Sequence, residues 1–305
     1  MKALLFLGTS LAMSLAPVFA EDKAPAQAVT VQITVTVEAR HGLNVPTMNP
    51  EDFVVYQGKE RLRLVNAVPL QGNHGDLELF LLLDDSSSWT LGSELADLRR
   101  FINTQTARTA IGIGYMSHGT VETAQNLTTD HSRAAKALRL PFGTSSSPYL
   151  SLSELIKRWP ESAARREVVM VTSGADPLGG TGVMNPYLDA AIEDSQRAGI
   201  IVYAIYTPGT GHSAHSYWRM NWGQNYLAEL ADETGGEAYM LGSGNPVSIA
   251  PYLEDITARF THQHRISFLA NAEGKPGFKS VKFMTEVPNA EIVAASKIHI
   301  PASGR

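Results

Sequence analysis

The pattern of hydrophobic and polar residues divides the chain into segments with different predicted secondary structure. Residues 29–37 alternate between apolar and polar side chains, a period of two that predicts a half-buried strand. Residues 52–59 predict a second strand that runs into a turn at Gly58, and residues 61–68 are expected to be its partner. The opening segment, residues 29–72, is therefore predicted to be all β.

From residue 77 onward, short continuous apolar runs alternate with amphipathic segments. Strands that are almost entirely apolar, interrupted here only at positions such as Glu78 and Glu167, and that are separated by helices are typical of a parallel sheet covered on both faces. Residues 76–261 are therefore predicted to form an α/β domain with a doubly wound, mostly parallel sheet. The predicted strands are 77–83, 167–172, 200–206 and 238–241, with a hairpin within 110–126, and the predicted helices are 91–104, 132–138, 151–159, 186–198, 225–234 and 246–260.

The last part of the chain returns to β patterns, at residues 265–270, 278–286 and 290–300. The leading segment, residues 29–72, and the trailing segment, residues 262–302, are each too small to build a good core alone. We therefore expect the two segments to pair with one another and to form a second, smaller β domain beside the α/β domain.

The N-terminus has the basic, apolar and small-residue parts of a secretory signal. Lys2 precedes an apolar stretch that ends at Ala20, after which cleavage is expected, and residues 21–28 are expected to be a linker. No later stretch is long and apolar enough to cross a bilayer. The sequence therefore predicts a soluble, exported protein, either periplasmic or secreted.

Composition narrows the classes of function. The chain has no cysteine, so a disulfide framework is excluded, and its 44% of hydrophobic residues must supply the core. The formal net charge is −5 and no basic block is present, which argues against a nucleic-acid partner.

The apolar run at residues 77–83 ends abruptly in a short polar motif, in which Asp84, Ser86 and Ser88 occupy alternate positions. Mg²⁺ prefers oxygen ligands and keeps some of its waters, so one carboxylate and two hydroxyls suit it. Such an incomplete site would accept a carboxylate from another protein, which favours metal-dependent binding or adhesion over catalysis. The alternative is that these residues only cap the following helix.

This motif, together with a later apolar strand that ends in Thr172-Ser173-Gly174, resembles a von Willebrand factor A (VWA) domain. More narrowly, the segments 50–59 and 274–283 are similar to those of exported VWA-related proteins that are common in acidobacteria. The resemblance implies a Rossmann-like doubly wound fold and a non-enzymatic module that uses bound Mg²⁺, or Mn²⁺ or Ca²⁺, to bind a protein ligand through its carboxylate.

The resemblance also implies how the metal site is completed. A threonine from a second loop is expected to join it, which Thr144 supplies in this sequence, with Ser145 as the fallback. A third loop is expected to bring an acid, but Ser173 stands at that position and leaves Asp84 as the only carboxylate. Asp176 is close enough in sequence to compensate, whereas Asp85 is expected to point away. A degenerate site that binds no metal is the alternative.

A second segment should leave the same edge of the sheet, because ligands collect outside the carboxyl ends of parallel strands. The loop at residues 208–222 follows the strand at 200–206 and is rich in aromatic residues and arginine, which binding surfaces favour. Its predicted partner-binding residues are His212, His215, Tyr217, Trp218 and Arg219. The alternative is an insertion whose tryptophans only pack back on the domain.

Other classes of function fit less well. Ser213 lies in a partial nucleophile-elbow pattern, but His215 replaces the second glycine and no predicted helix follows directly. His262 and His264 would share one face of a strand but lack a third ligand for a transition metal. A metal-independent structural or scaffold subunit of a cell-envelope assembly remains the main alternative to a binding module.

Overall fold

The computed structural model of the chain describes residues 28–87, 93–180, 182–209, 216–240, 246–272 and 276–301. Its strands are β1 (Ala28–Ala39), β2 (Val54–Gln57), β3 (Glu60–Arg61), β4 (Arg63–Pro69), β5 (Leu77–Asp84), β6 (Thr109–Ser117), β7 (Thr120–Thr128), β8 (Arg165–Thr172), β9 (Ile200–Tyr206), β10 (Ala238–Tyr239), β11 (Gln263–Asn271), β12 (Gly277–Met284), β13 (Ala290–Val293) and β14 (Lys297–Ile300). Its helices are α1 (Ser93–Thr104), α2 (His131–Lys136), α3 (Pro148–Arg158), α4 (Pro186–Ala198), α5 (Tyr217–Thr234) and α6 (Ala250–Thr261).

The central sheet has the strand order β10-β9-β8-β5-β6-β7, and only β7 runs antiparallel to its neighbour. Alternate residues of β5 enter different cores. Leu81 and Leu83 pack with α1 and α6 on one face, whereas Phe80 and Leu82 pack with α3, α4 and α5 on the other. Burial on both faces explains the continuous apolar run, and the predicted doubly wound α/β fold is confirmed.

Strands from the two ends of the chain combine in two antiparallel sheets, with the orders β13-β1-β11-β4 and β14-β12-β2-β3. In the first sheet Val35 lies opposite His264, so the chain returns to the strand from which it started. Phe268 and Phe283 join the two sheets through an edge-to-face ring contact in a shared core. The second, smaller β domain that was predicted from the N- and C-terminal segments is therefore present.

Two predicted strands are divided between these sheets. Residues 61–68 were expected to pair with the strand at 52–59, but only Glu60–Arg61 does so, and β4 pairs with β11 instead. Similarly, residues 290–300 form two strands, because β13 lies on β1 and β14 lies on β12. In both places the chain changes sheets, which a pattern of alternating residues does not reveal.

Helix α5 differs most from expectation, because it begins at Tyr217 rather than at residue 225. Tyr217, Trp218 and Arg219, which the sequence pattern places in a loop, therefore lie in its first turn. None of the helices within the described ranges is long and apolar enough to cross a membrane.

Candidate functional site

A cleft of about 400 Å³ lies at the edge of the central sheet where the carboxyl ends of β5, β8 and β9 meet. In open parallel sheets this is the edge at which ligands bind. Ser86 follows β5, Ser173 follows β8, and the loop before α3 contributes residues 143–146. One face of α5 forms the opposite wall with Arg219, Met220, Trp222, Gly223 and Tyr226.

The carboxylate of Asp84, at the end of β5, lies fully buried beneath this cleft. Its Oδ1 accepts hydrogen bonds from Ser86 N at 2.8 Å, Ser86 Oγ at 2.6 Å and Ser146 Oγ at 2.6 Å. Its Oδ2 accepts one from Thr172 Oγ1 at 2.6 Å. Hydroxyls from three separate parts of the chain therefore converge on one carboxylate, and we call these four residues the Asp84 cluster.

Two other residues predicted as metal ligands, Thr144 and Ser173, are within the described part of the chain. Their contacts differ from those expected. Thr144 donates to Asp85 Oδ2 at 3.2 Å, whereas Ser146, two residues later, donates to Asp84 Oδ1 at 2.6 Å. Ser173 lines the cleft and accepts from Ala175 N at 3.4 Å, while the preceding Thr172 contacts Asp84. Ser88, His212 and His215 lie outside the described residues.

Sequence reasoning missed Ser146 and Thr172 as members of this cluster. For Thr172 a signal was present, because Leu83 lies opposite Val171 in the parallel pair of β5 and β8, so the next rung brings Asp84 beside Thr172. For Ser146 no such signal exists, since residues 144–147 all carry hydroxyls and only the fold selects among them.

Asp85 belongs to a separate contact that fixes the loop before α3. Its buried carboxylate pairs with Arg139 at 2.6 Å and accepts from Phe142 N at 2.9 Å. The Arg139 guanidinium also stacks between the rings of Tyr115 and Phe142, at 3.7 and 3.8 Å from their centroids. Burial by itself would raise the pKa of Asp85, but these hydrogen bonds and the Arg139 charge outweigh it and hold the pKa below its usual value.

Asp176 does not replace the missing acid of the third loop. Its carboxylate is buried and accepts from Ser147 Oγ at 2.8 Å and Leu178 N at 3.1 Å. Asn185, which caps the start of α4, donates to it at 3.4 Å. Asp176 therefore connects the starts of α3 and α4 rather than joining the Asp84 cluster.

Two glycines bring α5 against the loop after β8. Gly174 has φ +66°, and a Cβ there would lie 2.3 Å from Gly223 O. A Cβ on Gly223 would in turn lie 2.3 Å from Ser173 O. This backbone contact places the first turns of α5 over the strand ends and makes them the wall of the cleft.

The donor chemistry of the cluster fits a hard divalent cation. Ser146 uses its hydroxyl proton on Asp84, so its oxygen, which lies 3.2 Å from Ser86 Oγ, can present a lone pair to a ligand in the cleft that it lines. Oxygen-only donors suit Mg²⁺, Mn²⁺ or Ca²⁺, whereas Zn²⁺ and copper ions favour nitrogen and sulfur. The described residues contain no group of three His, Cys, Asp or Glu side chains that could hold a metal, so a cation here would depend on the single Asp84 carboxylate together with hydroxyls and water.

Comparisons with known proteins found only distant structural likenesses. A scan against family models and a search of curated proteins each found no match. The chain is similar to proximal thread matrix protein 1 from the mussel byssus, at 14% identity and a TM-score of 0.43, over 59% of this chain and 47% of that one. It is also similar to the VWA domain of SpRpn10, at 12% identity and a TM-score of 0.40, over 59% of this chain and 94% of that one.

A further similar structure is the vWF domain of the type V pili tip protein Mfa5 from Porphyromonas gingivalis, at 11% identity and a TM-score of 0.44. That match covers 60% of this chain and 94% of the other. The chain spans 47% of the length of the mussel protein. At such identities and TM-scores these likenesses carry no inference about fold or function.

Proposed function

We propose that the chain is a non-enzymatic protein-binding or adhesion module that takes an acidic side chain of its partner into the cleft beside a divalent cation. The observation that carries this proposal is the convergence of three hydroxyls from separate parts of the chain on Asp84 at the carboxyl edge of the sheet. Asp84, Ser86 and Ser146 would hold Mg²⁺, or Mn²⁺ or Ca²⁺, with Ser88 as a further predicted ligand and Ser173 acting through water, while Thr144 would orient the loop that carries Ser146. The bound cation would supply the positive charge that attracts a carboxylate.

The surroundings of the hydroxyls favour binding over nucleophilic catalysis. An active serine needs a neighbouring base that accepts its proton. Ser86 and Ser146 instead donate to a buried carboxylate, and none of the described residues that line the cleft is a histidine or lysine. As part of the same proposal, the protein acts after export, in the periplasm or outside the cell.

Thermal unfolding with and without MgCl₂ tests the metal site. A ligand that binds only the folded state raises the free energy of unfolding by about 2.7 kcal/mol at 100 times its Kd. Asp84→Asn keeps the size of the side chain and removes its charge, so we expect the Mg²⁺-induced rise in Tm to disappear.

Asp97→Asn is the matched control. Asp97 is also buried and hydrogen-bonded, but it accepts from Ser248 Oγ and Ile249 N at the start of α6. This variant should lose stability while keeping the full Mg²⁺ response. A Mg²⁺ response that persists in Asp84→Asn would contradict the proposed metal site.

A second function, a metal-independent scaffold subunit of an envelope assembly, is favoured by one observation. Both oxygens of Asp84 already accept hydrogen bonds from protein groups, and Ser173 adds no charge where an acid was expected. Partner binding that is unchanged by EDTA would favour the scaffold, whereas binding that is lost in EDTA would favour adhesion through the cation.

A further inference from the structure

Large exposed apolar side chains lie close in the chain to residues that line the cleft. Val183 and Met184 are 84% and 81% exposed, and Phe142 and Trp218 are each 71% exposed. Leu178 and Tyr217 are also exposed, and we call these six residues the apolar rim. Elsewhere such side chains stand singly, as at Leu43, Val65 and Met284. A concentration of exposed apolar groups rimming a polar site is typical of a binding surface.

The rim comes from three separate elements that the fold brings to one edge. Phe142 lies in the loop before α3, which the Arg139–Asp85 pair holds in place. Leu178, Val183 and Met184 lie between β8 and α4, and Tyr217 and Trp218 form the first turn of α5. All three elements also supply residues that line the cleft, so their exposed apolar side chains lie beside it.

Of the charged side chains that line the cleft, the one that solvent can reach is positive. Among the described residues that line the cleft, the charged side chains are Asp176 and Arg219. Asp176 is buried and already accepts hydrogen bonds from Ser147 and Leu178. Arg219 is exposed and forms no ion pair with any residue in the described part of the chain. A guanidinium is well shaped to bind a carboxylate through two parallel hydrogen bonds.

We propose that the cleft and the apolar rim together bind a peptide segment in which an acidic side chain is flanked by large apolar residues, and that Arg219 receives the acid. This rests on the proposed function, in which the cleft takes an acidic side chain, and adds a fixed cation and the apolar flanks. The occupant is a peptide rather than a lipid surface, because the rim encloses a concave cleft whose floor is made of hydroxyls. A bilayer would cover the rim but leave that polar floor unfilled.

Peptide display tests the proposed peptide site. A library of random 12-residue peptides is selected for binding to the immobilised protein, once in Mg²⁺ and once in EDTA. We expect the wild type to enrich Asp or Glu with Leu, Ile, Met, Phe or Trp on either side. Arg219→Glu should lower the enrichment of acidic peptides by at least about tenfold, since reversing a recognition charge both removes attraction and adds repulsion. Arg219→Lys should keep part of it, and the matched control Arg63→Glu, at an exposed arginine on β4, should keep all of it.

Further variants separate this inference from the proposed function. Ser145→Trp places a bulky side chain in the cleft, so peptide binding that survives it would contradict the proposed function itself. Binding that is lost in Ser145→Trp but unchanged in Arg219→Glu would leave the cleft as the site and overturn the role of Arg219. Enriched peptides without acids, or binding of the wild type to phosphatidylcholine vesicles that is lost in Trp218→Ser, would overturn the acidic and apolar peptide as the occupant.

Discussion

Which hydroxyl reaches Asp84 is decided by its neighbour in the chain, Asp85. The Asp85–Arg139 pair, with Phe142 N and Thr144 Oγ1 on the same carboxylate, holds the loop before α3 so that Thr144 faces Asp85 and Ser146 faces Asp84. Two adjacent carboxylates therefore have different tasks. One carries the candidate site and the other orients the loop that completes it.

Ser146→Ala and Thr144→Val separate these tasks. Ser146→Ala removes one hydrogen bond to a buried carboxylate, so the free energy of unfolding should fall by about 1.5–3 kcal/mol. Thr144→Val removes a bond from a carboxylate that keeps Arg139 and Phe142 N, so a fall of about 1 kcal/mol is expected. Urea denaturation with and without Mg²⁺ should show a weakened metal response only in Ser146→Ala. A weakened response only in Thr144→Val would support the assignment made from the sequence.

At this scale the sequence identified Asp84 and Ser86, because a polar motif directly after a buried strand must lie at the edge where that strand leaves the sheet. It did not distinguish Thr144 from Ser146, because consecutive hydroxyls differ only in where the backbone points them. That direction depends on the contact of Asp85 with Arg139, a residue 54 positions away along the chain.

Among the elements, α5 is the one whose form depends most on packing. Its first turns contain Tyr217, Trp218, Asn221, Trp222 and Gly223, residues with weak or poor helix propensity. The close contact between Gly223 and the Ser173–Gly174 backbone stabilises the helical conformation that local propensity does not favour. By contrast, α4 and β9 lie at residues 186–198 and 200–206 as predicted, because their apolar spacing and the glycine between them are local features.

Gly223→Ala should therefore destabilise the protein although alanine is the better helix former. The added Cβ would lie 2.3 Å from Ser173 O, so α5 must move away from the cleft. We expect the free energy of unfolding to fall by about 1–3 kcal/mol, as for overpacking in a close contact, and the fluorescence of Trp222 to change. Gly182→Ala is the control, because nothing lies within 4 Å of the added Cβ there. A Gly223→Ala variant that is more stable than the wild type would show that this contact is not tight in solution.

For the whole molecule, the connection between the two domains is built around a buried charged pair at the other edge of the sheet. Arg165 Nη1 donates to Leu70 O at 3.1 Å and Phe260 O at 3.2 Å, so it contacts both segments that join the α/β domain to the β domain. Glu167 lies 3.4 Å from the Arg165 Nε atom. Burial raises the pKa of Glu167 to about 7, against the opposing effects of Arg165, Gln263 and Tyr203.

Stability should consequently depend on pH through Glu167. Its pKa is 4.5 for an unperturbed side chain and about 7 in the folded state, so the folded protein binds the extra proton between these values. The contribution of Glu167 to the free energy of unfolding is therefore full below pH 4.5 and falls by roughly 3 kcal/mol as pH rises to 7. Urea denaturation across pH 4.5–8 measures it as the difference between the wild type and Glu167→Gln.

Two controls keep this measurement specific. Taking the difference removes the contributions of other titrating groups, such as His264, whose pKa burial lowers. Glu161→Gln, at an exposed acid, should keep the pH dependence of the wild type. A Glu167→Gln curve parallel to that of the wild type would mean that Glu167 does not take up its proton in this range.

The sequence by itself determined the elements, the doubly wound sheet and the joining of the two chain ends, because apolar periodicity and the need to bury it are properties of local segments. It also determined where the site would lie, since parallel strands must end together at one edge. Only the tertiary structure decided which strands change sheets, where α5 begins, and which hydroxyl reaches Asp84. Each of these depends on contacts between residues far apart in the chain, such as Gly174 with Gly223 and Asp85 with Arg139, whose geometry no local pattern records.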